Sequence, residues 1–226
     1  MRTKILLLFL LGCVGMACGQ GCFLGNNPTA VENLTKFSGN QQFDNINNQE
    51  YELLSSIFGI RPDFYYLHDF GMPNAYATTA IHNPNLTDGT IMLGFSLVRD
   101  ECSNSPSGTC SAVPIILAHE FAHILDFKFG TGLSGKYKEL FADYIAGSYL
   151  YHRANRLGYL NIQEVASSFF SKGNYDFNNP NFHGTPQERY NCLSAGYVLA
   201  QQYSQQGIHL TRELLMNSAI QYVGQF

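Results

Sequence analysis

Charge is scarce in this chain: Asp, Glu, Lys and Arg together make up 13% of its residues. No basic patch or stripe is present, which argues against nucleic acid as a partner. There is no Cys-x-x-Cys pair, so thiolate metal binding is set aside. No internal repeat and no heptad run occurs, which excludes solenoid and coiled-coil architectures. Beyond the N-terminal segment no apolar run reaches the length of a membrane span. Tyr, Phe, Asn, Gln and Gly are plentiful instead. That composition suits a compact extracytoplasmic protein with wide neutral polar surfaces.

The N-terminus reads as a targeting segment. Met1-Arg2-Thr3-Lys4 is basic, Ile5 to Leu11 is apolar, and small residues follow through Gly19. This is the pattern of a signal peptide over 1–19, with Ala17-Cys18-Gly19 offering a cleavage site before Gln20. Leu10-Leu11-Gly12-Cys13 also resembles a bacterial lipoprotein box, and Cys18 is a second candidate for lipidation; either would tether the chain to a membrane. Cleavage leaves residues 20–226, enough for one core. Removing Arg2 and Lys4 from the 13 basic side chains leaves 11 against 17 acidic ones, a net charge near −6. It also leaves Cys22, Cys102, Cys110 and Cys192, an even set suited to an oxidising compartment. Lipidation at Cys18 leaves the same four; lipidation at Cys13 leaves an odd number. Cys102 and Cys110 flank a polar loop, so a local bridge is expected there, which pairs Cys22 with Cys192.

His119-Glu120-Phe121-Ala122-His123 is the most informative feature. It lies in a run from Val113 to Phe129 that reads as a helix, with Ser111 and Pro114 near its start and Gly130 past its end. Residues four apart share a helix face, so both imidazoles reach one metal ion. Glu120 is placed to hold a water beside that ion. A chance match on a core helix is the competing reading. The flanking Ile115-Ile116-Leu117-Ala118 and Ile124-Leu125 argue against it, because buried charge is costly unless paired or metal-bound.

Glu139-Leu140-Phe141-Ala142-Asp143 opens a second helical run, about Lys136 to Leu157, after a Gly-rich turn. A catalytic zinc site takes three protein ligands and keeps one open position. An antiparallel second helix brings Glu139 to face the two histidines. Asp143, one turn on, suits the carboxylate that accepts the other ring N–H of a ligating histidine. Ala142, Ala146 and Gly147 are small enough for the two helices to approach closely.

The remaining pattern predicts an α+β fold: a helix-rich single domain with a small mixed or antiparallel sheet ahead of the His119 helix. Gln20 to Asn48 reads as irregular and Glu50 to Phe58 as a helix ended by Gly59. Asp63 to Leu67, Ala75 to Ile81 and Thr90 to Leu97 read as strands. Asn161-Ile162-Gln163-Glu164 and Thr185-Pro186-Gln187-Glu188 read as capping boxes, the second opening a helix to about Tyr203. Thr211 opens a last helix through Tyr222.

The two helical motifs together resemble the Glu-zincin type of zinc metallopeptidase, in which the third ligand comes from a second helix. Phe182-His183-Gly184-Thr185-Pro186-Gln187-Glu188-Arg189 is similar to a stretch late in neutral zinc metallopeptidases of bacteria. Pro73 to Thr78 and Gly89 to Gly94 look like the strand region ahead of their metal helix. The resemblance spans about Phe64 to Tyr197, and the 15 residues between His123 and Glu139 form a short spacer for the group. It implies a Zn²⁺ ion on His119, His123 and Glu139, with Glu120 as general base in peptide hydrolysis. It makes His183 and Arg189 candidates for stabilising the oxyanion, with Tyr76 behind them. A loop position before a helix cap for His183 and a solvated or paired side chain for Arg189 account for those residues equally well. Peptide substrate is expected along the strand near Ile91 to Gly94. The alternative function is a secreted binding or structural protein on the same scaffold, with little or no turnover.

Overall fold

The computed structural model describes residues 31–157, 160–177 and 182–226. The signal segment, its cleavage and lipidation sites, and Cys22 lie outside the described residues. Within them the chain forms seven α-helices and four short strands, the expected α+β class. No described helix is long and apolar enough to cross a membrane.

The strands are β1 (Leu34–Thr35), β2 (Asp63–Leu67), β3 (Ala75–Thr78) and β4 (Thr90–Gly94). Their order is β1-β2-β4-β3. β4 runs parallel to β2 and antiparallel to β3, while β1 runs antiparallel to β2, so the sheet is mixed. This overturns one expectation. β4 is hydrogen-bonded on both sides and wholly buried, so Ile91 to Gly94 present no free edge to a peptide. β1 and β3 are the edge strands.

Helix α1 (Gln41–Phe58) begins well before Glu50, in a stretch whose polar sequence reads as irregular. The Asn40 side chain accepts from the Phe43 N–H and caps it; Gly59, at φ +66°, ends it. Its polar first half is held by tertiary contacts. Asn47 is buried and donates to the Tyr66 hydroxyl at 2.8 Å. Helix α2 (Phe95–Ser103) replaces the C-terminal end of the third expected strand. The Asp69 carboxylate accepts from Ser96 N–H at 3.0 and 3.1 Å, placing a negative charge at the helix N-terminus.

Helix α3 (Ala112–Phe129) is the centre of the molecule, buried without interruption from Ala112 to Asp126. A helix apolar all round must be covered all round. The sheet, α1, and α4 (Lys136–Arg156) supply that cover. α5 (Ile162–Ser171), α6 (Pro186–Gln205) and α7 (Arg212–Val223) complete the fold. Gly147 does not serve the α3–α4 contact for which its size suits it. A Cβ there would stand 1.9 Å from the Leu193 carbonyl of α6, and one at Gly196 would stand 1.8 Å from the Tyr144 carbonyl of α4. These two glycines let α4 and α6 cross backbone to backbone. Cys192 lies at that crossing, fully buried and unbonded. Its expected partner, Cys22, lies outside the described residues. Cys102 and Cys110 are bonded, as expected.

Candidate metal centre

The structure brings His119, His123 and Glu139 together. His119 Nε2 lies 3.1 Å from His123 Nε2 and 3.3 Å from Glu139 Oε2, and His123 Nε2 lies 3.5 Å from Glu139 Oε1. Donor atoms held at about 2.1 Å around one tetrahedral ion stand about 3.4 Å apart, so the three side chains already have the spacing of a ligand shell. All three are buried, and neither Glu139 oxygen has a hydrogen-bond partner of good geometry. A buried carboxylate in that state is costly unless a cation sits beside it. The residues fit a metal ion.

The protons follow the same arrangement. Burial works against a charged His119, yet its bonds to Asp143 and Glu139 prevail and lift its pKa to about 9. Burial pushes His123 down to about 4. Burial alone would raise Glu139, but His123, His119 and His183 together hold it well below the carboxylate range. In the ion-free protein a proton on His119 thus serves as the local positive charge, and a metal ion would take its place.

Asp143 fixes the orientation of His119, whose Nδ1 lies 2.9 Å from Asp143 Oδ1. Arg189 in turn grips Asp143 with two bonds, Nε to Oδ2 at 2.7 Å and Nη2 to Oδ1 at 2.8 Å. Burial would raise Asp143, but Arg189 and then His119 hold its pKa below the usual value. Arg189 therefore acts through Asp143 on His119, a paired rather than a solvated side chain, and it also lines the cavity beside Glu120.

The segment before α6 shows why its residues occur in that order. Gly184 has φ +99°, a conformation that favours glycine. The turn places His183 Nδ1 3.3 Å from Glu139 Oε2. Thr185 caps α6, Pro186 occupies its first turn, and Glu188 closes a reciprocal capping box. Glu188 also binds Lys136 at 2.6 Å, joining the starts of α4 and α6. The next residue, Arg189, reaches Asp143. The other box differs from expectation. Asn161 caps α5, but Glu164 turns to the disulfide loop, accepting from Ser105 and Ser107 at 2.7 and 2.8 Å.

Glu120 is fully buried and lines, with His119, a cavity of about 30 Å³. Asn74 and Ala75, at the start of the edge strand β3, line it too; Tyr76 does not. The sequence reading did not foresee the contribution of Phe169 of α5 and of Lys172 just after it. Phe169 packs its ring 6.1 Å from that of His119; no local pattern distinguishes it from an ordinary core residue.

Comparison of the chain with models of known protein families, with curated proteins and with solved structures finds no match.

Proposed function

We propose that the protein is an extracytoplasmic zinc-dependent peptidase of the Glu-zincin type. The observation that carries this reading is the buried His119–His123–Glu139 group with Glu120 beside it at a water-sized cavity. Two imidazoles and one carboxylate make the donor set of a catalytic zinc site with one position left for water or substrate. Zinc held there would polarise the scissile carbonyl and acidify a water. Glu120 takes the proton of the attacking water on its carboxylate and returns it to the leaving amine. Asp143, itself held by Arg189, keeps His119 in the tautomer whose Nε2 points into the site. His183, whose buried Nε2 has no hydrogen-bond partner among the described residues, and Arg189, which lines the cavity, are the candidate donors for the developing oxyanion. An extended substrate would add to the free edge of β3. The Cys102–Cys110 bond supports an oxidising compartment.

The test is zinc content together with hydrolysis of a generic protein substrate, with and without chelator. We expect about one zinc per chain and chelator-sensitive turnover that Glu120→Gln abolishes while keeping the metal. Zinc binding without any turnover would instead favour a binding or structural protein on this scaffold. A preparation that cannot be loaded with metal would reject the site itself.

A further inference from the structure

A peptidase must admit a polypeptide, and this site is shut. His119, Glu120, His123 and Glu139 are each at most 3% exposed. The cavity beside them holds about 30 Å³, room for about one or two waters and not for a strand of peptide. Its walls are His119, Glu120, Ala75, Leu97, Phe169 and Lys172, among others. Most of these belong to elements fixed deep in the core. α5 differs, since Val165 and Phe169 are its only buried side chains. The Phe169 ring centroid lies 6.1 Å from that of His119 and 5.9 Å from the guanidinium carbon of Arg189.

Beyond these, α5 packs against α6 and is held by polar bonds. The hydroxyl of Ser168 donates to Glu101 of α2 at 2.9 Å, and Lys172 pairs with the same carboxylate. Glu164 accepts from Ser105 and Ser107 of the loop that Cys102–Cys110 closes, and the Asn161 N–H donates to Ser111 at 3.0 Å. Bonds of this kind at a partly wet surface exchange readily for water, and the side chains that α5 buries are confined to Val165 and Phe169, about one turn apart. The disulfide keeps their acceptors and donors in place without fastening α5 itself.

We propose that α5 is a lid over the metal centre, that it must lift for a peptide to reach Glu120, and that Phe169 occupies in the closed form the place of an aromatic side chain of the substrate. This rests on the peptidase reading above and names its substrate class: peptides carrying an aromatic residue next to the scissile bond. Opening exchanges the Phe169 ring for a substrate ring in the same apolar slot, so the closed and the loaded states bury comparable surface. Substrates lacking such a side chain leave the slot empty and the lid unfavourable to displace.

Hydrogen–deuterium exchange of the zinc-loaded protein tests this without reference to turnover. In the wild type, α5 amides should exchange through an opening that leaves α3 and α4 protected, a sub-global event. In Glu101→Gln/Glu164→Gln, which loosens the polar bonds and touches no metal-site residue, α5 should exchange at least about tenfold faster with α3 and α4 unchanged. N-acetyl-L-phenylalaninamide should raise α5 exchange further, and N-acetylglycinamide should not. α5 amides that exchange only together with α3 and α4, in both proteins, would overturn the lid. Equal effects of the two amides, or none from either, would overturn the aromatic slot. If the lid opens as expected but no peptide is ever cut, the peptidase reading fails and the lid stands; if peptide is cut while α5 stays as protected as α3, the reverse holds.

Discussion

Arg189→Met tests whether the metal centre depends on a charge that never touches the metal. Methionine keeps most of the side-chain volume and removes the guanidinium. Asp143 is then left with 0% exposure and without its bidentate partner. Removing one member of a buried ion pair costs about 3–5 kcal/mol, because the remaining charge stays desolvated. For a chain of this size each kcal/mol moves the melting temperature by about 2–4 °C, so the expected fall is about 6–20 °C. The orphaned carboxylate also loses the charge that holds it ionised, and its grip on His119 Nδ1 weakens. Zinc affinity should drop about 10- to 100-fold, the usual cost of disturbing a ligand's support. Thermal denaturation followed by circular dichroism, with chelator and with excess zinc, measures the first effect; competitive zinc titration measures the second. Adding Asp143→Asn removes the orphaned charge, so the double variant should melt above Arg189→Met. A melting temperature and zinc affinity equal to wild type, or a double variant less stable than the single one, would refute the reasoning.

Glu139→Ala should abolish tight zinc binding, while Asp143→Ala should weaken it about 10- to 100-fold; titration of both folded variants in the opposite order of severity would make Asp143 the ligand. Zinc affinity should rise with pH. The raised pKa of His119, about 9 in the ion-free protein, means that at neutral pH zinc must displace one proton. Affinity should therefore climb by about one log unit per pH unit between about pH 6 and 8, with His123, pushed down to about 4, adding nothing in that range. A flat profile would show that no proton leaves. Gly147→Ala forces a methyl to within 1.9 Å of the Leu193 carbonyl and should cost about 3 kcal/mol or more; an unchanged urea midpoint would contradict that crossing.

The parts legible in the sequence are those whose causes are local. The His119 helix declares itself through two histidines four apart in an apolar run, and α6 through Thr185-Pro186 and Glu188 within its own first turn. The Cys102–Cys110 bond follows from a short loop. The parts missed have causes that lie far along the chain. α1 extends through Gln41 to Asn48 because Asn47 finds Tyr66 and because Glu50 is held by Arg153 at 2.9 Å. α2 begins at Phe95 with the help of Asp69, a residue from before β3. Arg189 meets Asp143 across 46 positions, and nothing in either segment announces the pair. β4 reads as an exposed edge until the sheet order puts β2 on one side and β3 on the other.

The three residues that could hold a metal ion all fall between positions 119 and 139, on one helical hairpin. Closing so short a span costs little chain entropy, and lengthening it would add only slowly to that cost. An unfolded chain can thus gather two histidines and a carboxylate around zinc without the rest of the fold. Metal bound in that way stabilises the denatured ensemble as well as the native one, so the rise in melting temperature with zinc should fall short of what native affinity alone would give. On the zinc reading proposed above, the same proximity would let the ion draw α3 and α4 together before α6 docks, with Arg189 and His183 joining a hairpin already in place.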